Sequence, residues 1–315
     1  MNFFRRNKKI RIMRKYILLL IFITSSLAVF SQGETHYTQF MHNKLAINPA
    51  YAGSKEVMSF TTLYRNQWAG IDGAPTTYTL NAHTPFFDNR AGGGISIVGD
   101  RHGFYQTINI GLNYAYRMPL GNNRTLSIGL SGQMEYGKVD FTMIDPADQD
   151  DDIPMNNDVR LNPNFGFGAY YSHPKFYLGL SVPNVLKTTL YTDESTVDLG
   201  RVRTYHFMAG YMTRLSNSIQ FKPAMLISYN PSAPIEVDMN ASFLLLDQVW
   251  IGASYRLGDS VDAMFQYQFN SQLKAGVAVD ITTSELSQYS PGSFEVMLEY
   301  NLDYQGKGMN HLRFF

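Results

Sequence analysis

Residues 107–118 read Thr-Ile-Asn-Ile-Gly-Leu-Asn-Tyr-Ala-Tyr-Arg-Met, within a longer patterned stretch from Gln106 to Lys138. The even positions are Ile108, Ile110, Leu112, Tyr114, Tyr116 and Met118, and the odd ones Thr107, Asn109, Gly111, Asn113, Ala115 and Arg117. After the turn Pro119–Asn123 the alternation resumes. Leu126, Ile128, Leu130, Met134 and Tyr136 oppose Ser127, Gly129, Ser131, Gln133 and Glu135. Side chains alternate faces along a strand, so each of these strands has one apolar and one polar face. The Pro/Gly/Asn chemistry between them makes a hairpin. Soluble strands usually run about 5–6 residues, whereas a strand crossing a bilayer needs about 9–11. These strands have the membrane length.

Similar strands follow one another along the chain, fourteen in all, from Met58–Gln67 to Ser293–Asp303. After the first apolar segment no run of 18 apolar residues occurs, so no helix is expected to span a membrane. Two strands are the weakest. Gly92–Asp100 opens on three glycines, and in Ile219–Tyr229 Pro223 removes a ladder bond. The connections sort by length. Pro85–Ala91, Pro119–Asn123, His173–Lys175, Ser216–Ser218, Asp247–Gln248 and Ser271–Gln272 are short. The alternate set contains the long ones, Trp68–Thr76, Val139–Pro163, Pro183–Arg203 and Ile281–Gly292, though two of its members, around Pro231–Pro234 and Gly258–Asp259, are short as well. Outer-membrane barrels have short periplasmic turns and longer outside loops. The fold expected is therefore all-β, a transmembrane outer-membrane β-barrel of about fourteen antiparallel strands.

The N-terminus agrees. Arg5, Arg6, Lys8, Lys9, Arg11, Arg14 and Lys15 precede the apolar run Tyr16–Phe30, the layout of a secretory signal peptide with cleavage between Ser31 and Gln32. Losing those seven of the 26 basic residues leaves 19 against 26 acidic ones, a mature net charge of −7. That argues against nucleic acid as a partner. The domain reading is signal peptide 1–31, N-terminal periplasmic arm 32–56, barrel 57–303 and C-terminal tail 304–315. The arm reads as too short for a folded plug and is expected across the periplasmic mouth. The chain has no cysteine, which removes disulfides, thiolate metal sites, Cys nucleophiles and a lipoprotein anchor together.

Reaction chemistry is sparse. His36, His42, His83, His102, His173, His206 and His311 lie too far apart for a two-His metal motif on one element. No Gly-x-Ser-x-Gly and no phosphate-binding loop occurs. No cofactor, metal or catalytic residue is assigned, and the chain does not read as an enzyme. The loop Asp145–Asp152 is a solvated acidic loop or a Ca²⁺ ligand set, though not an EF-hand. Arg65, Arg117, Glu135, Arg214, Lys222, Glu236, Asp238, Arg256, Lys274, Glu295 and Glu299 fall on the polar face and are expected in the lumen. A charge against lipid at mid-depth costs about 2–4 kcal/mol. They either line a water channel or pair across a closed interior.

Four motifs occur in order: His36-Tyr-Thr-Gln-Phe-Met41, Asn48-Pro49-Ala50-Tyr51-Ala52-Gly53, Tyr64-Arg65-Asn66-Gln67-Trp68, and Gly73-Ala74-Pro75-Thr76-Thr77-Tyr78. With the ending Leu312-Arg313-Phe314-Phe315, they resemble the PorP/SprF family of Bacteroidetes outer-membrane proteins, associated with type IX secretion and gliding motility. The resemblance covers Glu34–Phe315. It implies a non-enzymatic component of the secretion apparatus, integral to the outer membrane and embedded in its lipid. The partners implied are surface adhesins with a type-B C-terminal domain, the PorK/PorN ring lipoproteins and peptidoglycan-binding proteins. Asn48, Pro49, Tyr51, Gly53, Tyr64, Arg65, Asn66, Trp68, Gly73 and Pro75 carry either structural roles or partner contacts. The alternative from another class is a diffusion porin or small-solute transporter.

Overall fold

The computed structural model describes residues 36–140, 158–187, 203–288, 290 and 292–303. The expected signal peptide 1–31, the Asp145–Asp152 loop and the tail 304–315 lie outside them.

The strands are β1 (Met58–Asn66), β2 (Thr76–Phe86), β3 (Ala91–His102), β4 (Tyr105–Gly121), β5 (Arg124–Val139), β6 (Asp158–Ser172), β7 (Phe176–Val182), β8 (Tyr205–Tyr211), β9 (Thr213–Ser216), β10 (Ile219–Tyr229), β11 (Glu236–Leu245), β12 (Val249–Arg256), β13 (Ser260–Gln268), β14 (Leu273–Thr282) and β15 (Ser293–Leu302). Each pairs antiparallel with its neighbour, and β1 pairs with β15 over its whole length, Met58 opposite Leu302 and Asn66 opposite Phe294. β8 and β9 both pair with β10 and are two pieces of one wall strand, interrupted at Met212. Since β10 also pairs with β11, the sheet closes on itself as a fourteen-strand barrel. No helix is long and apolar enough to cross a membrane among the described residues. In lipid every wall carbonyl and amide needs an internal partner, and closure supplies one without leaving an edge.

The expected strands form, and β6 runs further than expected, past a proline: it begins at Asp158 rather than Asn164, with Pro163 accommodated opposite Met134. The strand Ile219–Tyr229 keeps its expected bounds as β10, with Pro223 opposite Ala241. The glycine-rich start of β3 is regular strand, paired from Ala91 to His102. The β4–β5 turn takes Asn122 and Asn123 into the left-handed region, φ 50° and 57°, which asparagine tolerates at low cost.

The faces are inverted relative to a soluble protein. In β4, Ile110, Leu112, Tyr114 and Tyr116 are exposed while Thr107, Asn109, Asn113 and Arg117 are buried. The charged positions expected inside are buried, except Glu236, half-exposed at the start of β11, and Arg214, exposed in β9 at the barrel's end. The connections 87–90, 122–123, 173–175, 217–218, 246–248 and 269–272 are all short and share one end. The other end, here the long-loop end, carries 67–75, 140–157, 183–204 and 283–292, along with short connections at 103–104, 230–235 and 257–259.

Depth dependence tests the outward face. Leu112→Arg, mid-strand and 65% exposed, is expected to destabilise the barrel by about 2–4 kcal/mol, and Leu120→Arg near the short-turn end by about 0–1 kcal/mol. Urea unfolding in liposomes measures both, and equal costs would contradict a lipid-facing wall.

Candidate functional site

The main departure from the sequence reading is the arm. It does not lie across a mouth. Residues 36–57 run through the lumen, and Tyr37, Phe40, Met41, Leu45, Ile47, Ala50, Tyr51 and Ala52 are buried there. The arm starts at the long-loop end and reaches β1 at the short-turn end, through turns at Phe40–His42, Lys44–Ile47 and Pro49–Tyr51. Asn48 caps the last turn by accepting from the Ala50 amide at 2.9 Å, and Pro49 supplies the fixed φ of its first position.

Three kinds of contact hold the arm. The first is apolar. Phe40, Met41, Leu45 and Ile47 share one buried cluster with Met208, Met212, Leu244, Trp250, Met264 and Ala278 of the wall. At about 1.5–3 kcal/mol per fully buried side chain, the four arm residues contribute roughly 6–12 kcal/mol before entropy is subtracted. A barrel lumen with a hydrophobic core was not expected from the alternation. The signal lay in Met264 between Asp262 and Gln266, and in Met297 between Glu295 and Glu299. Both are apolar residues on the polar face of their strands, and both are buried.

The second is polar and charged. Arg65 stands opposite Glu295 in the β1–β15 register, 3.6 Å from its carboxylate, and also pairs with Asp280. Its Nη1 donates to Thr38 Oγ1 at 2.7 Å. The Thr38 and Gln39 amides donate to the two oxygens of Glu295, each at 3.0 Å. Nearer the short-turn end, Glu299 receives Lys55 at 2.8 Å and Lys274 at 3.2 Å. His42 Nδ1 approaches it at 3.6 Å and lies 3.3 Å from Lys274 Nζ. Lys44 lies among the rings of Tyr177, Tyr51 and Tyr170, 3.9, 5.1 and 5.9 Å from their centroids, a cation–π enclosure.

The third is steric. Residues 48–53 rest on wall glycines. A Cβ on Gly129 would overlap the Ala50 backbone, one on Gly92 the Ala52 carbonyl, and one on Gly168 the Asn48 side chain. Asn48 Nδ2 reaches the wall itself, donating to Ala169 and Leu180 carbonyls at 3.0 and 3.3 Å. Gly53 takes φ +74° and lies against Gly92.

Among the motif residues, the structure brings Asn48, Pro49, Tyr51, Gly53 and Arg65 together inside. It leaves Tyr64 on the outer face beside Phe294, their centroids 6.1 Å apart. Asn66, Trp68, Gly73 and Pro75 shape the first long-loop-end connection. Trp68 N donates to Ser293 Oγ at 3.1 Å, Gln67 N to the Pro75 carbonyl at 2.9 Å, and Gly103 N to the Gly73 carbonyl at 2.9 Å. Above the arm, toward the long loops, a recess remains, lined by Asn, Gln, Ser and Thr together with apolar residues in about equal number. Among the described residues no three His, Asp or Glu side chains group so as to hold a metal.

A family model described as "Type IX secretion system membrane protein PorP/SprF" matches residues 29–300. The chain belongs to the PorP/SprF family. Its localisation is integral to the outer membrane, and it is a component of the type IX secretion system. No curated protein matches the chain. Among solved structures, a deltaS2S3 mutant of the monoaromatic hydrocarbon channel TodX superposes with a TM-score of 0.51 at 10% identity, covering 83% of this chain and 94% of that one. The Acinetobacter baumannii outer membrane protein Omp33 gives 0.47 at 9% identity, covering 79% and 100%. At such identity the TodX likeness speaks for the barrel fold alone. What distinguishes the interior of this PorP/SprF protein is the arm inside the lumen.

Two outcomes follow for that arm. Arg65→Ala leaves Glu295 and Asp280 buried without their guanidinium and is expected to cost about 3–5 kcal/mol in denaturant unfolding in micelles. Gly129→Val is expected to expel the 48–53 turn from its seat. Protease cleavage within residues 48–56 would then appear in the folded barrel, where wild-type resists.

Proposed function

We propose that this PorP/SprF protein is a non-enzymatic adaptor. It holds or delivers surface adhesins bearing type-B C-terminal domains, with its long-loop end facing outside. The short turns and the tail 304–315 face the periplasm and meet the secretion machinery there, with PorK/PorN ring lipoproteins and peptidoglycan-binding proteins as the partners. The observation that carries the reading is the occluded lumen. A wall that spends its inward charges on its own arm is not arranged to pass solutes. Arg65, Glu295, Lys274 and Glu299 all serve the arm or one another, and the apolar cluster fills the space beside them.

The motif residues divide between two tasks in this reading. Asn48, Pro49, Tyr51, Gly53 and Arg65 keep the barrel shut. Asn66, Trp68, Gly73 and Pro75 shape the rim that faces the cargo. The diffusion-porin reading draws on the same charged lumen but needs an open path.

Purification from outer membranes in mild detergent, followed by mass spectrometry, tests the adaptor role. A large adhesin with a type-B domain is expected to co-purify, and deletion of the gene is expected to strip that adhesin from the cell surface. Intact surface adhesin after deletion would end this reading. In planar bilayers the wild-type protein is expected to carry no steady current, whereas removal of residues 36–55 is expected to open a conducting pore. Steady large-pore conductance of the wild-type protein would favour the porin.

A further inference from the structure

We propose that the recess between the arm and the long loops receives an extended, uncharged polypeptide segment of the secreted cargo, bound through side-chain amides; this rests on the adaptor reading above. The recess is walled by Asn109 and Asn113 of β4, Gln133 of β5, Asn184 just after β7, and Asn230 just after β10. The arm residues Leu45, Ile47 and Pro49 also line it.

The chemistry of the wall selects the ligand. A primary amide both donates and accepts, as does each unit of a peptide backbone. Five amides from four places in the wall match a chain whose backbone is not already paired in a sheet or helix. Part of this set is already ordered. Asn109 Nδ2 donates to Gln133 Oε1 at 3.0 Å, and Gln133 Nε2 donates to the Pro183 carbonyl at 2.7 Å. Asn184 is different. It is 5% exposed, and its Oδ1 has no hydrogen-bond partner among the described residues. A buried amide oxygen left without a donor costs about 1–3 kcal/mol, and an incoming backbone N–H would supply one.

The lining also excludes other ligands. Of its two carboxylates, Asp238 is paired with Arg256 at 2.7 Å, and Glu236, half-exposed at the edge, lies 3.3 Å from His36. Among the described residues its one phenol or indole ring, Tyr37, is 8% exposed and tied to Thr79 at 2.8 Å, which leaves little ring face on which a sugar could stack. Val98, Leu226, Pro183 and Pro234 give small apolar contacts between the amides, suited to the side chains of a peptide. Asn109, Asn113, Asn184 and Asn230 are each under 10% exposed. The amides thus sit below the surface, where a chain end or a single extended strand could reach them and a folded domain could not.

The chain has no cysteine, so single-cysteine variants report on their own positions. Asn184→Cys and Asn113→Cys probe the recess, and Asp72→Cys, exposed in the β1–β2 connection, probes the rim. Intact cells with and without the co-purifying adhesin are treated with a membrane-impermeant maleimide. In cells lacking the adhesin both recess cysteines are expected to react. In cells carrying it their labelling is expected to fall about tenfold, as for a site about nine-tenths filled. Folding of each variant is checked by heat-modifiable migration, and either recess position suffices. If Asp72→Cys is protected while the recess cysteines still react, the cargo sits on the loops. The proposal then falls and the adaptor role stands. If the recess cysteines are unreactive without adhesin, the chain ahead of His36 fills the space, and the proposal falls again. If no position is protected and no adhesin co-purifies, the adaptor reading fails with it.

Discussion

Lipid on the outer wall can satisfy no polar group, so every charge and amide on the inner wall must be answered from inside the barrel. The rest of the structure depends on that constraint. Arg65 and Glu295 face each other across the β1–β15 seam, the join between the first and last strands of the wall. Their remaining hydrogen-bonding capacity is taken up by Thr38 and Gln39. Without the arm, Glu295 would lose two backbone donors. The seam and the arm are therefore one polar unit, and barrel closure and arm docking are energetically coupled.

The apolar contacts make the arm more than a chain draped over charges. Ion pairs in a confined interior recover little beyond their desolvation, so they orient the arm rather than supply most of its binding free energy. Phe40, Met41, Leu45 and Ile47 supply more, because the wall answers them with Met208, Leu244, Trp250 and Met264. The glycines set the height. Gly92, Gly129 and Gly168 let residues 48–53 approach the wall backbone closely enough for Asn48 to reach carbonyls of β6 and β7. The occluded half lies toward the short turns, and the amide-lined recess faces the long loops. This asymmetry distinguishes the two ends of the molecule.

The barrel was legible in the chain because a strand's two faces report their surroundings residue by residue. Ile108 through Met118 is enough to tell lipid from lumen, and the sorting of connections by length follows from the same repeat. The family was legible in the four motifs. The arm was not, since Glu34–Ser54 has no period and its partners lie as far off as Gln266 and Glu295. Its seat was visible only as glycines at inward positions of neighbouring strands, Gly129 and Gly168 paired in register. Met264 and Met297 also stood out of place on polar faces. β6 reached six residues further than the sequence reading allowed, because Pro163 lies within a paired wall strand.

Alternation, strand length and motif order, read along the chain alone, determined a membrane-embedded barrel and its kinship, because those properties are local or repeat at short range. Whether the interior is open or filled was decided only in three dimensions. It depends on which side chains meet across a lumen whose facing residues lie up to 257 positions apart in the chain, and no local pattern encodes that meeting.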